Sequence, residues 1–243
     1  MGKVFAVTSG KGGAGKSTLS VGLALAFCRN EKTVLLVDMD EGLRCLDLML
    51  GVDQKTVLDL SDVLLGADIA DAVSSIPGEP RLKLLPAPAN YGRIDLFSLT
   101  RFARQAPNEY DVVIFDFPAG IDFSLYEALP DDTLFLTVAN PDPVSVRDSA
   151  AVSAALERKG LSSRMIINNF NRKLIRAKIL SGIDDMIDAS GLQLIGIVPE
   201  SRELHFFATT HTINLTGKAM KAFLRIVRRL YGEDVPLPAP NKI

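Results

Sequence analysis

Short runs of consecutive apolar residues alternate along this chain with longer stretches in which apolar positions recur every three or four residues. The runs are Val4-Phe5-Ala6-Val7, Thr33-Val34-Leu35-Leu36-Val37, Leu82-Lys83-Leu84-Leu85, Val112-Val113-Ile114-Phe115, Thr133 to Val138, Met165-Ile166-Ile167 and Leu194 to Val198. Their β-branched, mostly uninterrupted character predicts strands covered on both faces, as in a parallel sheet. Between them, helical periodicity falls at about 16–30, 56–65, 95–106, 142–159, 174–189 and 216–231. This alternation predicts an α/β fold: a doubly wound, mostly parallel sheet with helices on both faces. Ligands of such sheets bind beyond the carboxyl ends of the strands, so the residues that follow each run are where chemistry is expected. One domain is expected over 1–231, followed by a Pro-rich tail at 232–243 that reads as extended or frayed.

Composition narrows this little. Hydrophobic residues make up 47% and charged residues 23% of 243, the balance of a soluble globular domain. A net charge of −2 offers no global attraction to nucleic acid or acidic lipid, so such a partner would need a local patch. The two cysteines, Cys28 and Cys45, form no CxxC pair and read as free thiols of a reducing compartment. No secretory leader and no bilayer-length apolar stretch is present, which predicts a cytoplasmic protein, at most peripheral to the inner face of the membrane. His205 and His211 lack a third ligand nearby, and a metal site there is not expected.

The first run is followed at once by Gly10-Lys11-Gly12-Gly13-Ala14-Gly15-Lys16-Ser17-Thr18, which fits G-x-x-x-x-G-K-[ST] between a strand and a helix. Each residue type has a physical task. Glycines let backbone N–H groups curl around phosphate oxygens, and the helix that follows adds its positive end. Lys16 is expected to neutralise the β- and γ-phosphates of ATP, Ser17 to ligate Mg²⁺, and Thr18 to donate to the α-phosphate. Two further strands end in carboxylates. Asp38-Met39-Asp40 follows the second run, and Asp116-Phe117-Pro118-Ala119-Gly120 follows the fourth. Acids in these places can orient an attacking water or hold the metal's water shell.

The additional lysine, Lys11, makes the loop the KGGxGK[ST] form, and on it the chain resembles the MinD/ParA family of deviant P-loop ATPases. The resemblance implies that Lys11 reaches the nucleotide of a second subunit, so that ATP cements a homodimer, with a trans cation acting as an arginine finger does. The segment Asp38 to Asp47 matches D-x-D-x-G-L-R-x-L-D, the spelling of the MinD branch. That implies Lys11, Lys16 and Asp40 as the hydrolytic set, Asp38 and Asp116 with Ser17 and Asp40 about the metal, and Pro118-Ala119-Gly120 as switch II. It also implies Asn168 and Pro199-Glu200 near the adenine, although Asn169 replaces the family's usual Arg. The activity implied is slow, Mg²⁺-dependent conversion of ATP to ADP and phosphate, in a switch that regulates septum placement. Regulators of the MinC/MinE kind and an acidic membrane surface are its implied partners.

The alternative within the family is an FlhG- or ParA-like ATPase for flagellar number or DNA partitioning. It would use the basic stretch Lys218, Lys221, Arg225, Arg228 and Arg229, and DNA is the less favoured partner. A metabolic P-loop enzyme lacks any sign of an acceptor pocket. Family members of the MinD branch end in a basic amphipathic helix, whereas this chain ends in Pro-Leu-Pro-Ala-Pro-Asn-Lys-Ile, which cannot form one.

Overall fold

The computed structural model describes residues 1–54, 57–176, 182–206 and 215–238. Among them eight strands form one sheet: β1 (Lys3–Thr8), β2 (Val34–Asp38), β3 (Ser74–Ile76), β4 (Glu79–Leu85), β5 (Val112–Asp116), β6 (Leu134–Ala139), β7 (Ser162–Phe170) and β8 (Leu194–Pro199). Their order is β3-β4-β2-β5-β1-β6-β7-β8, and every pairing except β3 with β4 is parallel. All seven apolar runs form strands. The eighth, β3, is three residues long, two of them serines, too short to carry a period, although Pro77-Gly78 after it marks the turn back into β4.

The helices are α1 (Lys16–Arg29), α2 (Leu46–Leu50), α3 (Leu60–Leu64), α4 (Ile69–Ala72), α5 (Leu96–Gln105), α6 (Phe123–Glu127), α7 (Pro143–Arg158), α8 (Arg172–Arg176), α9 (Ile183–Ser190), α10 (Arg202–His205) and α11 (Gly217–Leu230). The pattern at 56–65 begins later than its periodicity suggests. Asp59 caps α3, accepting from Ser61 N at 2.9 Å while its own N–H donates to Asp62 at 2.9 Å. The pattern at 174–189 is divided between α8 and α9, with 177–181 outside the described residues. Helices of one turn, such as α2 and α6, are invisible to a period of 3.6.

The first helix is apolar around its whole circumference, and Leu19 to Cys28 are all buried. Such a helix needs cover on two sides. The sheet supplies one, and the inner face of α11 supplies the other through Met220, Phe223, Ile226, Val227 and Leu230. The Phe223 ring lies 2.3 Å from where a β-carbon on Gly22 would be, so the two helices meet at ring-on-backbone distance. The opposite face of the sheet is covered by α3, α5, α6 and α7 through residues including Leu60, Phe102, Tyr126 and Leu156. No helix among the described residues is long and apolar enough to cross a membrane.

The basic stretch of α11 is less free than its sequence suggests. Arg229 donates to Val235 O at 2.7 Å, Ile195 O at 2.8 Å and Pro236 O at 2.8 Å, and Arg228 pairs with Glu233 at 2.6 Å. The start of the tail is therefore extended but docked rather than frayed.

Phe223→Ala should cost about 3–5 kcal/mol of unfolding free energy, the usual loss for a buried aromatic. Denaturant unfolding of wild type and variant measures it; a loss below about 1 kcal/mol would mean that α11 is not part of the cooperative core.

Candidate active site

The central strand β1 delivers the phosphate loop. It lies between β5 and β6, where the strand order reverses, and the chain leaves it at Ser9 to pass through Gly10–Gly15 into α1. Gly13 and Gly15 have φ of 78° and 85°, a left-handed conformation natural to glycine. The Ser9 hydroxyl donates to Lys11 O at 2.7 Å and so shapes the turn from inside. Lys16, Ser17 and Thr18 occupy the first turn of α1, half-buried, while Lys11, Gly12 and Gly13 are exposed. Lys11 enters no ion pair among the described residues.

Beside the loop stand two carboxylates that are almost completely buried. Asp38 and Asp116 end neighbouring strands and are in register with each other, each 1% exposed. Asp116 accepts from Ser20 Oγ at 2.7 Å. Asp38 accepts from Asp40 N at 3.0 Å, Cys45 N at 3.2 Å and Leu46 N at 3.3 Å, which ties the end of β2 to the start of α2. Burial, and then the nearby Asp116 charge, push the Asp38 carboxyl up to about 7 despite those three N–H donors. Burial pushes Asp116 up to about 6, opposed by Ser17, Ser20 and Lys16. Asp40 is half-buried, raised by burial and pulled back by Lys16.

Burial disfavours the charged form of this pair, and a cation bound beside it would offset that. The donor set suits Mg²⁺: a Ser17 hydroxyl and carboxylate oxygens, all hard ligands. No cluster of three His, Cys, Asp or Glu side chains able to cage a metal occurs among the described residues, and Mg²⁺ ordinarily relies on one or two protein oxygens plus phosphates. The Cys45 thiol lies within hydrogen-bonding reach of Ser17, and burial pushes it up to about 12.

The third station, Pro118-Ala119-Gly120, is strapped to the phosphate loop. Gly120 N donates to Ser9 O at 3.0 Å, and Gly120 O accepts from the Tyr126 hydroxyl at 3.0 Å. Tyr126 also lies 2.6 Å from Thr8 Oγ1; with its one proton directed at Gly120, it receives the proton of Thr8.

A cavity of about 840 Å³ opens on the far side of the loop, lined by Gly15, Thr18, Asn168, Asn169, Asn171, Glu200, Ser201, Arg202, Leu204, His205 and Phe206. Asn168 lies within β7 rather than after it, buried, with Nδ2 donating to Ala14 O at 2.9 Å and set against Gly15. Glu200 accepts from Asn171 Nδ2 at 2.5 Å at the same mouth. Pro199 ends β8 and lines a separate small cavity with Ile197, Lys218, Lys221, Arg225 and Pro238. His205 belongs to the large cavity, and His211 lies outside the described residues.

The structure thus gathers Gly10 to Thr18, Asp38, Asp40, Asp116 and Pro118 to Gly120 into one place, with Asn168 and Glu200 along one flank. Sequence reasoning does not find Ser20, Tyr126, Asn171, Arg202 and Phe206. Ser20 leaves a signal, a polar residue one turn beyond Lys16 in an otherwise apolar helix. The others leave none, because only the fold brings them near the loop.

The model of the CobQ/CobB/MinD/ParA nucleotide binding domain matches residues 5–214. The chain belongs to that family. Among similar proteins are the septum site-determining protein MinD of Synechocystis, 32% identical with 97% of this chain and 92% of that one covered, and that of Bacillus subtilis, 31% identical with 98% and 92% covered. The solved MinC:MinD cell division protein complex of Aquifex aeolicus contains a chain that superposes with a TM-score of 0.86, at 31% identity, covering 98% of this chain and 99% of that one. The phosphate loop described above is accordingly that of a P-loop NTPase domain.

The raised carboxyls make a stability prediction with a definite sign. Asp38 and Asp116 bind protons more tightly folded than unfolded, so protonation favours the fold, and that contribution is lost as pH rises through about 7. Without nucleotide or Mg²⁺, Tm should rise as pH falls from about 8 to about 5, and Asp38→Asn should remove most of that rise. A wild-type Tm that falls over the same window would contradict the assignment.

Proposed function

We propose that this chain is a MinD-like ATPase, a switch that dimerises on ATP, takes part in division-site placement and resets by slow hydrolysis to ADP and phosphate. The observation that carries the reading is the exposed, unpaired Lys11 at the lip of the phosphate loop, beside a buried acidic pair suited to Mg²⁺. Within one subunit Lys11 has no task among the described residues. A second copy brought face to face would give it a phosphate to neutralise.

In this reading the amides of Gly12 to Ser17 and the start of α1 hold the phosphates, and Lys16 lies against their charge. Ser17 and the water shell held by Asp38 and Asp116 would carry Mg²⁺, which spreads charge from the transferring phosphoryl group when bound. Asp40, whose carboxyl burial raises, would orient the attacking water. The N–H of Gly120, which donates to Ser9 O, would be the group of switch II that turns toward a terminal phosphate. Asn168, Glu200 and the cavity they line would take the nucleoside. Likeness to the MinD chain of the Aquifex MinC:MinD complex supports a partner of the MinC kind, and a MinE-like regulator and an acidic membrane surface follow from the same reading.

The DNA-partitioning alternative is weaker than the sequence suggested, because Arg228 is paired with Glu233 and Arg229 holds the tail.

Size measurement with ADP, with ATP and without nucleotide tests the proposal. Wild type and Asp40→Ala should dimerise in ATP, with Asp40→Ala dimers persisting because hydrolysis is slowed by about 10²-fold or more. Lys11→Ala should bind ATP yet stay monomeric, and Lys16→Ala should lose nucleotide affinity. ATP-bound monomers of wild type and Asp40→Ala alike would refute the dimer switch.

A further inference from the structure

Glu41 follows Asp40 directly, yet its carboxylate is engaged outside the nucleotide site. Its Oε1 accepts from Arg93 N at 2.7 Å and Ile94 N at 3.0 Å, and its Oε2 accepts from Gly92 N at 3.0 Å. Three successive backbone donors on one anion form a strong, directional dock, stronger than neutral contacts of the same number. The donors lie in the connection between β4 and α5, remote in sequence from the Asp40 loop.

Two further contacts join the same segments. Gly42 N donates to Pro88 O at 3.0 Å. Gly42 has φ of 75°, and a β-carbon there would lie 2.4 Å from Tyr91 Cε2, so the ring is seated on bare backbone. On its other side Asp40 is held by its N–H to Asp38 Oδ1 at 3.0 Å. Residue 40 is thus suspended between two anchors: the buried acidic pair and the dock formed by Glu41.

We infer that Glu41 is a positioning residue for hydrolysis: its carboxylate, docked on the amides of Gly92, Arg93 and Ile94, fixes the backbone that carries Asp40 and so sets where the attacking water is held. The inference rests on the proposed role of Asp40. Glu41 reaches no phosphate-loop residue in any described contact, so its loss should leave nucleotide binding alone. A carboxylate is required because it offers two acceptor oxygens and no donor. A glutamine would offer one oxygen and turn its NH₂ toward an N–H group. Small displacements of a reacting geometry are costly, and a shift of about 1 Å can lower a rate by about 10²-fold.

The test compares kcat, KM and affinity for a non-hydrolysable ATP analogue in wild type, Glu41→Gln, Glu41→Ala, Asp40→Asn and the Asp40→Asn/Glu41→Ala pair. Hydrogen exchange at Gly92 to Ile94 reports the dock itself. Glu41→Ala should lower kcat about tenfold, with analogue affinity within about twofold and faster exchange at the three amides. Glu41→Gln should fall between, and in the Asp40→Asn background Glu41→Ala should change kcat by less than about twofold, because the two residues act as one unit. Wild-type kcat in Glu41→Ala would overturn the inference, as would a matching loss of analogue affinity, which would mark a merely structural role. Full activity in Asp40→Asn would instead overturn the role given to Asp40, and with it this inference.

Discussion

Two carboxylates that should repel each other stand side by side at the ends of β2 and β5, and the layout of the site follows from that placement. Asp38 and Asp116 are buried and in register, and Asp116 stands on β5, the strand next to the one that delivers the phosphate loop. Burying an unpaired charge is costly, and a chain can bear it only by protonation or by a cation from outside. Both carboxyls are accordingly pushed upward, while Ser17, Ser20 and Lys16 crowd around Asp116. The cost of this arrangement is offset elsewhere, by an apolar α1 sealed between the sheet and α11.

The same pair organises its surroundings. Asp38 accepts the N–H groups of Asp40, Cys45 and Leu46, so this buried carboxylate also shapes the loop that carries Asp40. Arg44, just before α2, pairs with Asp47 in its first turn at 2.5 Å, which gives the Gly-Leu-Arg-x-Leu-Asp spelling a local structural meaning in addition to its family one. On the other flank, Gly120 is held by Ser9 and Tyr126, which ties the Gly120 segment to the residue that opens the phosphate loop.

Much of this was legible beforehand, for identifiable reasons. Strands buried on both faces spell continuous apolar runs, and phosphate binding needs glycines and a lysine at fixed spacing, so β1, the loop and α1 could be read directly. Asp38 and Asp116 were readable because sheet ligands gather at strand ends. The sequence could not show that β2 and β5 are neighbours in register, since that depends on strand order. One-turn helices, the three-residue β3 and the Tyr126 and Glu41 contacts likewise depend on residues far apart in the chain. The engagement of Arg229 in α11 was unreadable for the same reason: its partners lie on β8 and the tail.

Burial of the acidic pair favours its protonated form, and a bound cation would reverse that preference. Calorimetry of Mg²⁺–ADP binding at about pH 6.5, in buffers of different ionisation enthalpy, counts the protons released. Comparison with Asp38→Asn removes the nucleotide's own contribution. Wild type should release more protons than Asp38→Asn, with the difference declining toward about pH 8.5 as the pair becomes ionised beforehand. Equal proton release by the two proteins at about pH 6.5 would contradict it.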